Sequence, residues 1–486
     1  MKKILCSAVL LLALICALAS CEHTHRWGEW ITEKAATCTE DGTLKRYCNG
    51  CDDFITETQS ASHSYVNGVC TLCNEKEPSE GLRFTYSYTY DGYIVERYSG
   101  SDTDVVIPAF YEGEPVTGID YNAFSDDSIT SITLPSSITY MGQHAFYSCN
   151  ELKNVYIQDL ESWYNIKFVD VTSNPLYNDA DLYLNNVLVT EVAFAEGTTE
   201  INANAFAGCT SIESITIPDG VTQIGNRAFW CCENLKSVTI SNSVTKIDDD
   251  AFYGCPNIKE VHITSIEKWC KIKFGDSEYW EIIGGDLYLN GSLLTEVVIP
   301  DGITSIDRGP FCNRDSITSV VIPEGVTNIN SEAFYGCDNL KSISLPQSLT
   351  YLSSTAFQYC KNLEGISIPG GVGTIYSESF KGCENLKSVA IGDGITRIDS
   401  DAFRGLQQLK IVILADSVKE IGSRAFYECV RLSTVYLGSG LEKIGSSAFS
   451  SCNSLDLIYY NGSSSDWDLV INYGYYGTVW CNATQP

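Results

Sequence analysis

Two pairs of thiols stand close behind the N-terminus at a spacing that suits a metal. Cys48 and Cys51 are separated by two residues, as are Cys70 and Cys73, and 18 residues lie between the pairs. Two such turns can offer four sulfurs to one tetrahedral zinc, so Cys48, Cys51, Cys70 and Cys73 are candidate ligands, with His25, His63 and Cys38 as alternates. Disulfides are the competing chemistry, because a small module with little core gains from cross-links in an oxidising compartment. Neither reading leaves an open coordination position or a general base, so the expected role is structural.

The other candidate chemistry is weaker. Asp248, Asp249 and Asp250 could supply an acid and a base to a hydrolase acting on glycans or wall polymers. Adjacent acids on a turn point apart and stay solvated, and neither G-x-S-x-G nor H-E-x-x-H occurs. A catalytic reading is therefore remote, and the chain is expected not to be an enzyme.

The first residues carry addressing information. Met1-Lys2-Lys3 precedes an apolar run from Ile4 to Ala19, a basic segment plus an apolar one too short to span a bilayer comfortably. Residues 1–20 read as an export signal. Leu18-Ala19-Ser20-Cys21 resembles a lipobox, which implies that Cys21 receives a lipid anchor in the cell membrane or outer membrane; a plain signal peptide with an incidental cysteine is the alternative. Several acyl chains on one cysteine anchor a protein that a single chain would not hold. The expected contact with the membrane is through this anchor only. The 486 residues contain 31 Lys plus Arg against 61 Asp plus Glu, a formal charge of -30, and such a surface repels nucleic acid.

Behind Cys21, residues 21–80 form a compositionally distinct module and linker that also holds His23. From about residue 116 one pattern takes over, clearest as Leu235-x-x-Val238-x-Ile240, Val244, Ile247, Ala251-Phe252 and Cys255. Phenylalanine recurs at Phe124, Phe146, Phe206, Phe229, Phe252, Phe311, Phe334, Phe357, Phe380, Phe403, Phe426 and Phe449, the last seven 23 residues apart. A fixed period of this size marks a solenoid whose units bury their apolar faces only against one another. Val238 and Ile240 point inward from a short strand with Ser237 and Thr239 outward. Pro218, Pro323, Pro346 and Pro369 end such strands by removing an amide donor.

Nine of the twelve phenylalanines have a cysteine three positions on, and Asp127, Arg314 and Leu406 stand there in the others. A buried cysteine behaves as a small hydrophobe with a weak donor, so the row is expected to be a reduced core ladder.

Two longer intervals resemble each other. Leu160-Glu-Ser-Trp163 and Asp181-Leu-Tyr-Leu-Asn185 correspond to Ile266-Glu-Lys-Trp269 and Asp286-Leu-Tyr-Leu-Asn290. These inserts, at about 158–195 and 264–300, are expected to add a short helix around the Trp and a hairpin around the Tyr, bulging from one edge. Residues 82–115 fit an N-terminal β cap and 457–486 a C-terminal one, with the repeats over 116–456. The fold class is thus mainly β, a leucine-rich-repeat solenoid of 23-residue repeats with end caps, preceded by the small cysteine-rich module. Twelve coils at about 4.8 Å each would give one sheet roughly 60 Å long.

The repeats resemble those of the BspA-like leucine-rich-repeat surface proteins, whose unit reads L-x-x-I-x-I-P-x-x-V-x-x-I-G-x-x-A-F-x-x-C. Ile224-Gly225, Ile421-Gly422 and Ile444-Gly445 match along with the Ala-Phe and Cys positions; Pro310 and Ser379 depart from it. The resemblance implies an exported, surface-exposed protein that adheres to or binds a protein or glycan. The strand face offers Thr216, Thr239, His262, Ser344, Ile413 and Tyr436 as candidate contacts in a hydroxyl-rich row. A passive spacer that holds other proteins off the membrane is the alternative.

Overall fold

The computed structural model describes residues 26–35, 42–59, 65–66, 69–70, 76–124, 128–275, 283–475 and 477–482. The chain divides into two compact units, Met1–Pro78 and Ser79–Pro486. In the first, Ile31–Lys34, Gly42–Tyr47 and Phe54–Gln59 form an antiparallel sheet, and Tyr65–Val66 pairs with Val69–Cys70. The export segment and Cys21 lie outside the described residues.

The second unit is the expected solenoid. Each turn lays one strand in a first sheet and a two-residue strand in a second, and both stack in parallel on the next turn. Ser214, Ser237 and Glu260 are in register, as are Ile215, Val238 and Val261 beside them. On the opposite wall Ile224, Ile247 and Phe274 align in the same way. Period-two alternation sends Ile215, Val238 and Val261 into the core, where none is more than 1% exposed.

The Ala-Phe corner depends on two strained residues that the hydrophobic pattern does not reveal. The residue two before the phenylalanine is left-handed at Asn204, Arg227, Asp250, Glu332, Asp401 and Arg424, with φ between 55° and 62°. The residue two after it is also left-handed, as at Gly208, Gly254 and Gly336. Left-handed backbone costs an ordinary residue about 1 kcal/mol or more, which glycine avoids. This corner delivers the phenylalanine to the centre. Within each uninterrupted run the rings lie 5.0 to 6.3 Å apart and within 11° of parallel. Tyr98 of the N-terminal cap stacks on Phe124, and Tyr475 closes the other end edge-on to Phe449.

That N-terminal cap is the expected hairpin. Leu82–Ser87 pairs antiparallel with Gly92–Tyr98, which joins the second sheet beside Glu114–Ile119. The first sheet begins at Asp104–Val106, whose outer edge is occupied by Ser79: its amide donates to the Val106 carbonyl, and its Oγ accepts from the Val106 amide.

The inserts differ from expectation. They do contain the short helices, α1 (Leu160–Tyr164) and α2 (Ile266–Cys270), and the hairpins. They do not bulge from an edge. Asp181–Leu184 lies in parallel register on Asn154–Ile157, and Asp286–Leu289 on Glu260–Ile263, so each insert supplies a coil of its own. The return strand then closes an antiparallel hairpin through a left-handed pair, Asn185-Asn186 or Asn290-Gly291, and so ends that ladder. The first sheet is consequently divided into four ladders, with a further gap between Ser344 and Gly365, in place of one continuous sheet.

Candidate functional site

The outward row of the first sheet changes in side-chain type from coil to coil and holds the residues singled out from the sequence. Every strand there offers two outward side chains flanking an inward aliphatic one, so a ligand meets a grid set by the pleat. Thr216, Thr239 and His262 occupy equivalent positions on adjacent strands, and Tyr288 follows in the same row. The His262 ring packs 4.9 Å from Tyr288, and its Nε2 lies 3.0 Å from Glu260 Oε2.

Ile413 and Tyr436 are also neighbours in register, and the row continues through Tyr459 to Trp480. Tyr436 and Tyr459 stack at 4.9 Å and 16°, and Tyr459 meets Trp480 at 6.3 Å. Ile411 and Ile413 both face outward around a fully buried Val412, so no register slip occurs in this proline-free repeat. Ser344 stands apart. It is exposed on the last strand of the third ladder, beside Val321, which is 48% exposed. The six candidates thus fall into two groups and one isolated serine.

Sequence reasoning overlooked Tyr156, Tyr183, Tyr288, Tyr459 and Trp480, all of which face outward in this row. Tyr156 and Tyr183 pack at 5.0 Å. The sequence pattern assigns the strands of Tyr183 and Tyr288 to hairpins and those of Tyr459 and Trp480 to a cap, yet Asp181-Leu-Tyr-Leu carries the same inward-outward alternation as Ser237-Val-Thr-Ile. Val298, 62% exposed, is a further apolar member.

The acidic triplet serves structure. Asp248 receives Lys246 Nζ and Gln223 Nε2, each at 2.5 Å, and Asp250 pairs with Arg227 of the preceding coil at 3.2 Å. Asp249 sits near Lys273, Gly275 and Arg308 in an open cleft beside the second insert.

The cysteine row is a core ladder with a specific task. The thiols of Cys149, Cys232, Cys255, Cys337, Cys360, Cys383, Cys429 and Cys452 each donate to the carbonyl of the phenylalanine one coil back, at 2.8 to 3.2 Å. Burial pushes the Cys337 and Cys383 thiols up to about 12, and such groups are poor nucleophiles. Arg314, which replaces one cysteine, is fully buried; its Nη1 donates to the carbonyls of Gly284 and Gly285, and its guanidinium lies 5.8 Å from the Trp269 ring.

Of the candidate zinc ligands, Cys48 and Cys70 are buried and Cys51 is half-buried, while Cys73 and the alternates Cys38, His25 and His63 lie outside the described residues. Among the described residues no three His, Cys, Asp or Glu side chains are grouped as a metal site, and no helix is long and apolar enough to cross a membrane.

Comparison with known proteins bears on the solenoid. The model of the BspA type leucine rich repeat region matches residues 109–173, 180–278, 281–410 and 373–467. A leucine-rich repeat protein from Bacteroides ovatus is 22% identical over 78% of this chain and 93% of its own, with a TM-score of 0.53. A leucine rich cell surface protein from Faecalibacterium prausnitzii is 23% identical over 81% of this chain and 96% of its own, with a TM-score of 0.44. No curated protein matches.

Proposed function

The chain belongs to the family of BspA-type leucine-rich repeat proteins, and on that premise we propose that it is an exported, surface-exposed binding protein, tethered through a lipid on Cys21, whose first-sheet face recognises a protein or glycan. One observation carries the binding reading: aromatic and aliphatic side chains recur among threonines and serines at the second outward position of the strands, in register across neighbouring coils, beside a first position held largely by serines and carboxylates. A spacer needs only solvated residues there. Tyrosine and tryptophan cost little conformational entropy when they are held by a partner, and they anchor most protein interfaces.

The proposal is of a non-catalytic protein: Asp248 and Asp250 are held by Lys246, Gln223 and Arg227, and burial keeps the core thiols protonated. The same acidic exterior, at -30, turns away nucleic acid.

The test is binding of the full chain to an array of immobilised extracellular proteins and glycans, alongside an Ile413→Ser/Tyr436→Ser/Tyr459→Ser variant. Capture of a defined ligand by the wild type, weakened at least tenfold in the variant, is the expected result. No ligand at any concentration returns the protein to the role of spacer.

A further inference from the structure

Both sheets break together at one junction that carries no insert. Ser342–Ser344 is the last strand of its ladder in the first sheet and Tyr351–Leu352 the last in the second; the next coil opens new ladders with Gly365–Ile368 and Thr374–Ile375. The sheets also break at the two inserts, but there a tryptophan spans the gap. Trp163 and Trp269, each 1% exposed, donate their indole N–H to the carbonyls of Ala205 and Pro310 in the coil beyond, at 2.9 and 2.8 Å. Between Ser344 and Gly365 the sequence holds neither insert nor tryptophan.

The glycines of the following coil account for the break. Where one turn reads Pro346-Gln-Ser-Leu-Thr350, the next reads Pro369-Gly-Gly-Val-Gly373. The amides of Thr245, Thr327, Thr350 and Thr396 each donate to the carbonyl one coil back, at 2.8 to 2.9 Å. Gly373 stands at this threonine position with φ of 71° and turns its amide onto Gly370 of its own turn, at 3.2 Å. Glycine enters that left-handed conformation without the penalty that a side chain brings. Gly371 stands where Ser348 and Ser417 clip neighbouring turns together, their Oγ donating to the carbonyls of Val326 and Ile395 at 2.9 and 2.8 Å. Gly371 has no hydroxyl with which to clip Leu349.

The loss continues at the strand ends beside this turn. Ser353 and Asp399 donate their amides to Ile329 and Ile375 at 2.9 and 2.8 Å, and Ile299 and Ile322 donate theirs to Val321 and Ser344 at 3.0 and 3.1 Å. Among the described residues no corresponding bond runs from Tyr376 to Leu352 or from Leu345 to Ser367. The opposite edge of the same junction stays tied. The Glu364 amide donates to Lys341 at 3.0 Å, the Tyr359 amide to Lys381 at 2.7 Å, and the Cys383 thiol to the Phe357 carbonyl at 3.1 Å. Between these edges the Phe357 and Phe380 rings stand 6.3 Å apart, against 5.1 to 5.6 Å for the other pairs from Phe311 to Phe449.

We infer that this junction is a hinge, with its axis along the tied edge and its opening between the turns at 346–350 and 369–373. A boundary with few backbone bonds and small residues is where a stack of coils yields first. The tied edge keeps the coils in register while the turn edge opens. Motion about it swings the ladder of Ile413 and Tyr436 against the ladders that precede it, so the patches of the first sheet change their relative angle. The hinge is a property of the coil stack, and it holds for a binding protein and for a spacer alike.

Double electron–electron resonance on the full chain tests it, with spin labels attached to azide-bearing residues so that the 21 cysteines stay untouched. One pair of labels, at Asp301 and Ser439, lies on the turn edge; the other, at Asp315 and Asn453, lies on the tied edge. All four positions are exposed, and each pair spans six coils, about 29 Å. The turn-edge pair is expected to give a distance distribution at least twice as broad as the tied-edge pair. Gly371→Ser/Gly373→Thr gives this turn the residues of its neighbour. A Cβ on Gly371 meets the Leu349 carbonyl as the turn now lies, so the variant must take up the geometry of the other turns. It is expected to narrow the turn-edge distribution to the width of the tied edge, with a melting temperature no lower than the wild type's. Equal widths in the wild type overturn the hinge, as does a turn-edge distribution that the folded variant leaves broad. The wild-type comparison decides by itself if the variant does not fold.

Discussion

Cys360 Sγ lies 3.1 Å from the carbonyl oxygen of Phe334, which also accepts the amide of Cys337 at 3.3 Å. The thiol is thus the second donor on a buried carbonyl, which accounts for a cysteine in place of valine or alanine at this point of the repeat. Burial holds the Cys360 thiol well above its ordinary 9.0, and Cys337 and Cys383 at about 12. In the unfolded chain these thiols ionise near 9. The stability linked to them is therefore complete below pH 9 and is lost as pH rises from 9 toward 12, by up to about 1.4 kcal/mol per thiol per pH unit. The melting temperature should be flat between about pH 6 and 8 and fall steeply above 9. A melting temperature that held to pH 11 would remove the linkage.

Removing that donor should cost a measurable amount. Cys360→Ala leaves the Phe334 carbonyl with one partner and opens a sulfur-sized void, for a loss of about 1–2 kcal/mol. Urea unfolding of the full chain reads it directly. No loss would mean that the thiol is a spectator. Where Leu406 replaces cysteine, Phe380 keeps the Cys383 amide at 3.1 Å, which explains why the ladder tolerates such gaps.

The period and the Ala-Phe-x-x-Cys pattern were enough to place the coils, because a unit that buries its face only against neighbours must repeat its core residues. The course of the inserts was hidden for the same reason. Asp181-Leu-Tyr-Leu lacks the Phe and Cys landmarks, so its membership of the ladder rests on Leu182 pairing with Val155, a contact without a local signature. The outward aromatics at Tyr183, Tyr288 and Trp480 were lost with it, and half of the candidate face went unread. The left-handed corners were hidden too, since Arg227 and Glu332 are not residue types that announce positive φ.

The two covered tryptophans give a second test of that topology. In an uninterrupted coil the carbonyl before the phenylalanine accepts the amide of the phenylalanine one coil back, as Ala228 does from Phe206 at 2.8 Å. After the first insert Phe146 donates to Thr172, and Trp163 fills the vacant place on Ala205. Trp163→Phe should cost about 1–3 kcal/mol, combining a cavity with the loss of one of two donors on the Ala205 carbonyl, which Asn174 Nδ2 also reaches at 3.2 Å. Trp467→Phe, at the half-buried third copy of this tryptophan in the helix Ser464–Trp467, should cost under about 1 kcal/mol. Equal losses at both positions would contradict the assigned role.

The N-terminal module carries its own measurement. Zinc held by Cys48, Cys51, Cys70 and Cys73 predicts one metal ion per chain after purification under reducing conditions, released by a thiol-blocking reagent with loss of the module's far-ultraviolet signal. A metal-free chain whose thiol titre rises on reduction would instead establish disulfides.

Hairpins at Asn185 and Asn290 end the first two ladders, and a gap between Ser344 and Gly365 sets off the fourth, so the candidate face is a set of separate patches. One holds Thr216, Thr239, His262 and Tyr288; another holds Ile413, Tyr436, Tyr459 and Trp480. Residues more than about 10 Å apart with no shared partner act additively. A ligand small enough for one patch should therefore lose about 5- to 30-fold in affinity on Tyr436→Ser, a cost of about 1–2 kcal/mol, and nothing on His262→Ala. A ligand that spans both should lose affinity from either, with the double variant showing the sum. Isothermal titration of the two single variants and the double one separates these cases. Indifference to all three variants would place the contact away from the strand face altogether.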